Sequence, residues 1–265
     1  MKLPQISVTA VPNIPLIEPG DDLAAIVLSR MAAAGLELQD GDILVIAQKV
    51  VSKAEGRLVR LDTVTPSSRA REVAAQTGKD PQLVEVILSD TRAISRMRRG
   101  LLIVEHNLGF ISANAGVDRS NVAPNPSTGS GRREERVWVA QLPVDPDASA
   151  RVIRSRLMAA TGKEIAVIIN DTHGRPWRGG AVGVAIGVAG IAPVEDLRGQ
   201  PDLFGHTLAS TRVGLADQLA AAASLVMGQA DEGRPVALIR GLDYAVRNDA
   251  SARDLLRPRE QDLYR

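Results

Sequence analysis

Residues 168–190 of this chain, IINDTHGRPWRGGAVGVAIGVAG, set a carboxylate, a hydroxyl and two cations at the end of an apolar β-type run. Asp171 and Thr172 are hard oxygen donors of the kind Mg²⁺ or Mn²⁺ takes, and Arg175 and Arg178 are donors for phosphoryl oxygens. Five glycines from Gly179 to Gly190 keep large side chains away from a place where a ligand would approach the backbone. The pattern suits a metal-bound phosphate. It also fits a plain strand followed by a glycine-rich turn with a solvated Asp and Arg, because short motifs match by accident.

Three further stretches have the same form, a strand or helix end with a glycine and a few oxygen or cation donors. They lie at Ser52-Lys53, at Asp118 to Asn121 and at Gly228-Gln229. Each is weak alone, and an isolated Lys53 reads as a surface lysine. Together they suit a divalent cation and a polyphosphate. Other chemistries are excluded. Gly228 to Gly233 is followed by Arg234-Pro235 and a strand, so it is not a P-loop, and Gly183 to Gly187 lies in an apolar β-type run, so the dinucleotide fingerprint fails too. His106, His173 and His206 are too scattered for zinc, and no G-x-S-x-G elbow occurs. Residue chemistry alone therefore points to a cytosolic enzyme, or a binder, for a metal-complexed phosphate.

Composition narrows the partners. A net charge of +1 calls for neither nucleic acid nor an anionic membrane. Aromatics are only 2% of residues, too few for the stacking platforms of single-strand binders. The absence of cysteine excludes disulfides and thiolate metal sites and fits a reducing cytoplasm. No run approaches a membrane span, and the proline-broken N-terminus is no signal peptide.

The elements that must position these groups alternate between strands and helices. Residues 5–11 read as a strand. Asp21 or Asp22 caps a helix with Leu23, Ile26, Val27 and Met31 on one face, ended by Gly35. The apolar run 43–47 reads as a strand covered on both faces, opening into a polar segment at 48–57. Ser67 and Asp80-Pro81 start two short helices. The arginine-rich segment 92–99 reads as a solvated face, and 101–105 with 110–114 as a hairpin. Residues 124–135, PNPSTGSGRREE, read as a mobile insertion. A strand at 136–140, a helix from Asp145 to Gly162, a strand at 165–169, a helix from about Thr211, a strand at 235–239 and a polar helical tail after Arg247 complete the chain. The helix from Thr211 is expected to turn Leu215, Leu219, Ala222 and Val226 inward.

The collinear motifs GDILVIAQKVVSKAEGR (41–57), NAGVDRSNV (114–122), NDTHGRPWRGGAVGVAIGVAG (170–190) and LVMGQ…PVALIRGL resemble the coenzyme F420-0:L-glutamate ligases, the F420 γ-glutamyl ligases, over residues 11–242. The resemblance implies a mixed α/β (α+β) fold of two lobes with mixed sheets. It implies one ligase domain over 1–247 with interleaved lobes, a tail at 248–265 and a homodimer. The implied activity is GTP-dependent addition of L-glutamate to the carboxylate of F420-0, then a γ-linked glutamate to F420-1, through an acyl-phosphate that releases GDP and phosphate. The alternatives are the same amide-ligase chemistry on another F420 precursor, or a non-catalytic nucleotide- or F420-binding module.

By position, Asp118 and Asp171 become ligands of a divalent metal, and Thr172 and Gln229 contribute to a second. Mg²⁺ or Mn²⁺ is implied at two sites, with K⁺ assisting. Ile14, Pro15, Leu16, Ile17, Gln48, Lys49, Lys53, Asn121, Met227, Gly228, Gln229 and Ala230 are implied to line the GTP pocket, with Lys53 on phosphate. Arg175 and Arg178 are assigned to the anionic F420-0 or glutamate. No protein nucleophile is expected, because activating a carboxylate by phosphoryl transfer needs positioning and charge neutralisation. Two departures stand out: Gln229-Ala230-Asp231-Glu232 replaces the acidic or glycine-rich string of many members, and the 124–135 insertion is long. The C-terminal nitroreductase-like domain of the two-domain form has no counterpart here, so its activity is expected to be missing.

Overall fold

The computed structural model describes residues 3–122, 137–175 and 178–262. The 124–135 insertion lies outside them. The first strand, β1 (Ser7–Ala10), is followed by α1 (Leu23–Ala33), whose N-terminus is closed by Asp22 accepting from the amides of Ala24 and Ala25. β2 (Ile43–Ala47) runs directly into α2 (Gln48–Ala54) and then β3 (Leu58–Arg60). α3 (Ser68–Thr77) begins at the Ser67 cap and ends at left-handed Gly78. α4 (Pro81–Ser89) begins at the Asp80 cap with Pro81 in its first turn. Three strands follow, β4 (Thr91–Arg98), β5 (Leu101–His106) and β6 (Ile111–Ala113), then β7 (Trp138–Ala140). α5 (Pro146–Thr161) lies between its Asp145 cap and Gly162. The long hairpin β8 (Ala166–Arg175) and β9 (Arg178–Ala189), the short pair β10 (Glu195–Asp196) and β11 (Arg212–Val213), α6 (Leu215–Met227) and β12 (Val236–Arg240) complete it.

The fold is mixed α/β, of the α+β kind, built on two hydrophobic bodies. A five-stranded sheet in the order β1-β12-β2-β8-β9 joins β2 and β8 in parallel and the rest antiparallel. Alternate residues of β2 enter opposite cores. Leu44 and Ile46 pack with α1 and α5, while Ile43 and Val45 pack with α6. This double coverage is why the strand reads as one apolar run. The second body packs α3 and α4 on the sheet β4-β5-β6. Among the described residues no helix is long and apolar enough to cross a membrane.

Several expectations need correction. The polar segment after β2 is a helix, α2. It buries Gln48, Ser52 and Lys53 beside Val51, so no apolar stripe announces it. The arginine-rich run is strand β4, whose partner β5 satisfies its backbone. α6 starts at Leu215 and its core face is Ala216, Leu219, Ala220 and Ala223, shifted in phase from the expected set. The residues after 247 form short 3₁₀ turns at Ala252–Leu255 and Arg259–Gln261, and Ala250 and Ala252 are buried in the α6 core.

The glycines of β9 also have another purpose than ligand approach. A Cβ on Gly183 would overlap Ser224 Oγ and lie 2.6 Å from the Ala220 carbonyl oxygen and 2.8 Å from Asn170 Oδ1. One on Gly187 would overlap the Pro146 carbonyl. These glycines let α6 and the start of α5 sit against the strand. Gly183→Ala is therefore expected to destabilise the protein by about 3 kcal/mol, since backbone atoms must move. For a chain of this size that lowers Tm by roughly 6–12 °C, readable by calorimetry.

Candidate functional site

A cleft of about 1640 Å³ lies where the two bodies meet. Small-molecule sites usually occupy ~300–1,000 Å³, so this one has room for more than one substrate. The residues assigned to metal and nucleotide all line it, as does Arg175; Ser52 is buried and donates to Gln48 Oε1, and Arg178 sits on β9 opposite Arg175 and faces solvent.

Asp118 is delivered by an unusual backbone. Asn114, Ala115 and Gly116 have φ values of 53°, 53° and 67°, three left-handed residues in succession. For Ala115, fully buried, this costs roughly 1–2 kcal/mol, and such strain gathers at functional sites. The turn is tied down when Asp118 and Ala140 exchange backbone hydrogen bonds of 3.0 and 2.9 Å. The Asp118 carboxylate then accepts from Lys49 Nζ at 2.6 Å and from the Ser120 amide and hydroxyl at 2.8 and 2.9 Å. Burial alone would raise its pKa. The Lys49 and Ser120 hydrogen bonds outweigh that and hold it below the usual carboxylate range.

Asp171 and Thr172 lie on β8 itself, beyond the apolar run, and not in a loop at its mouth. The sheet pairing continues past them because β9 runs alongside, with a bulge between Ile169 and Asn170 that resets the register just before the two donors. The Asp171 carboxylate is 2.9 Å from His173 Nε2. The His173 ring packs on Phe110, which stacks on His106, with both centroid separations 5.1 Å. Burial is the main reason His106 titrates below the ordinary histidine range, and its Nδ1 accepts the Leu108 amide.

The loop after α6 closes the constellation. Gly228 has φ 77° and ψ −177°, a conformation open essentially to glycine only. Thr172 Oγ1 donates to Gln229 Oε1 at 3.1 Å, and Asn121 Nδ2 donates to the Ala230 carbonyl at 2.7 Å. Loops distant in the chain are thus cross-linked. Lys53 is 8% exposed, and no carboxylate pairs with it among the described residues. Burial lowers its pKa, and the nearby Lys49 ammonium lowers it further. A desolvated, unneutralised ammonium in a cleft is a receptor for an anion.

The donors gathered here are two carboxylates, a hydroxyl and a side-chain amide, all hard oxygen. That set fits Mg²⁺ or Mn²⁺. No group of three or more His, Asp or Glu suited to a metal occurs among the described residues. Magnesium carried on a nucleotide needs only one or two protein carboxylates, the remaining positions going to phosphate and water.

Several lining residues were not legible in the sequence. His173 carries no signal in its spacing from the other histidines, and its closeness to Asp171, two residues away, becomes a 2.9 Å contact only through the strand. Arg96, Leu101, Ile103, Leu255, Leu256 and Arg257 line the other side of the cleft. They come from the run read as a solvated face, from the hairpin and from the tail. Only the strained Asn114-Ala115-Gly116 left a signal, a small and polar tripeptide ahead of Asp118.

A model of the family described as F420-0:Gamma-glutamyl ligase matches residues 12–241. The chain is 49% identical over 261 residues to the coenzyme F420:L-glutamate ligase of Methanothermobacter thermautotrophicus, covering 98% of this chain and 99% of that one. It is 45% identical over 266 aligned positions to the protein of the same name from Methanopyrus kandleri, with 99% of each covered. Against that of Archaeoglobus fulgidus it is 38% identical over 261 residues, covering 98% and 97%.

Proposed function

The chain belongs to the F420-0:gamma-glutamyl ligase family, and from that premise we propose that it is a GTP-dependent ligase joining L-glutamate to the carboxylate of F420-0. The observation that carries this reading is one cleft lined both by a buried Lys53, without a carboxylate partner among the described residues, and by the oxygen donors Asp118, Asp171, Thr172 and Gln229. A carboxylate is a poor acyl donor until it bears a leaving group. In the proposed route the acceptor carboxylate attacks the GTP γ-phosphorus and GDP leaves. The glutamate amine then attacks the acyl carbon, phosphate leaves and the amine proton passes to solvent.

The work of the protein is positional. Lys53 presents its ammonium to the phosphates from a desolvated position, where a charge contact is strong. Lys49 and Ser120 keep Asp118 ionised and fixed in direction, and the contact with the His173 ring fixes the direction of the Asp171 side chain. Asp118, Asp171, Thr172 and Gln229 would hold Mg²⁺ or Mn²⁺. The bound ion supplies charge neutralisation at the phosphoryl oxygens. Gly228 lets the loop after α6 fold tightly onto Glu232, whose carboxylate a Cβ at that position would overlap. The cleft volume accommodates nucleotide and acceptor together.

The test is direct. Protein incubated with GTP, Mn²⁺, L-glutamate and F420-0 is expected to release GDP and yield a cofactor heavier by one glutamyl residue, with no product when the metal is chelated. Intact GTP and no mass shift would remove the reading. GDP release with a different precursor alone would move it to the same chemistry on another acceptor.

A further inference from the structure

The cleft has a second pole that the nucleotide does not explain. On β5, Leu102 and Val104 enter the core under α3 and α4, whereas Leu101 and Ile103 point the other way and are half-exposed to the cleft. An antiparallel sheet ordinarily shows polar side chains on its open face. Here Ile103 pairs in register with Arg96 on β4 and Ala113 on β6, so one row across the sheet carries a guanidinium, an isoleucine and an alanine.

The chain end faces this row. Residues 251–252 are pinned by Asp147, which accepts from Ser251 Oγ at 2.6 Å and from the Ala252 amide at 3.0 Å. Leu255 packs into the α6 core. Leu256 reaches the β5–β6 turn, where a Cβ on Gly109 would lie 3.0 Å from its Cδ1. Residues 255–257 therefore bridge the two bodies and form a wall of the cleft, beyond the last residue of the family match at 241. Neither Arg96 nor Arg257 forms an ion pair with a carboxylate among the described residues, in contrast to Arg247 and Arg259 on the same segment.

From these facts we infer that residues 255–257 and the open face of β4–β5 form the acceptor subsite. Leu101, Ile103 and Leu256 take an apolar part of the acceptor, and Arg257 with Arg96 takes its anionic tail. This rests on the proposed ligase reading and deepens it. Arg257 is a specificity residue for the acceptor and touches neither nucleotide nor glutamate. A second copy of the chain is the rival occupant of an apolar face. Guanidinium groups without a carboxylate partner among the described residues, in a cleft continuous with the phosphate pole, favour an anionic small molecule.

The experiment compares the unaltered chain with Arg257→Ala, Arg257→Lys and Arg96→Ala, measuring KM separately for F420-0, GTP and glutamate, with Tm and solution mass as controls. The expected result is a rise of roughly tenfold in the F420-0 KM for both alanine variants, partly restored by lysine. The GTP KM and kcat are expected to stay within about twofold. An unmoved F420-0 KM, or an equal rise for GTP, overturns the inference. A changed solution mass with an unmoved F420-0 KM assigns the face to subunit contact and also overturns it. Failure of the unaltered chain to ligate F420-0 removes the functional reading and this one with it.

Discussion

Asp171→Asn is expected to lower kcat for ligation by on the order of 10³-fold, about 4 kcal/mol of transition-state stabilisation, while the protein remains folded. The carboxamide has the volume of the carboxylate and can still face His173, whose Nε2 lies 2.9 Å away. The Asp171 side chain is only 11% exposed, so a charge placed there acts with little screening by solvent. What the substitution removes is one negative, hard oxygen donor from a set that contains two. The measurement is single-turnover GDP release across a Mn²⁺ titration, with Tm beside it. Loss of rate together with weakened Mn²⁺ dependence and an unchanged Tm supports the ligand role. A fall in Tm with unchanged Mn²⁺ dependence would make Asp171 a structural partner of His173, and full activity would remove it from the site.

Lys53→Met is expected to raise the KM for GTP by on the order of 10²-fold while Tm holds or increases. These opposite directions follow from one fact. Lys53 is 8% exposed and has no carboxylate partner among the described residues, so the folded state holds a desolvated ammonium. Methionine fills similar space without that penalty. The same fact sets a pH dependence. The folded-state pKa lies below the ordinary value of 10.5, first through burial and then through Lys49. Between the two values the unfolded chain binds more protons, so this group makes stability rise with pH. Its destabilisation is complete below the folded pKa and fades as pH climbs toward 10.5. Denaturant titrations at ~pH 7 and ~pH 9.5 are expected to show that slope in the natural chain and a shallower one in Lys53→Met. A destabilised methionine variant with unaltered GTP affinity would contradict both halves.

The pattern of what could be read from the residues is uneven. Helices with a capping side chain and a terminal glycine were legible, because those signals act within a few residues. Asp22, Ser67, Asp80 and Asp145 all cap where expected. The doubly covered strand β2 was legible from its unbroken apolar run. α2 was not, because its inward residues are polar and serve the cleft. β4 was not, because an arginine-rich edge of a small sheet has neither period nor apolar content to mark it. The packing purpose of Gly183 and Gly187 on β9 was not legible, since packing against Ala220 and Pro146 is a contact with remote parts of the chain.

The order of chemical groups along the chain was enough to determine the fold class and the family. It also picked out the oxygen donors Asp118, Asp171, Thr172 and Gln229, because side-chain chemistry is carried by each residue alone. Only the tertiary structure decided which charges lack a partner, that Lys53 is buried, and that residues 255–257 complete the cleft. Those properties depend on how β2, β8 and β12 assemble and on where the chain end crosses between the two bodies. Solvation and charge pairing are set by neighbours in space, and the residues nearest in sequence do not report them.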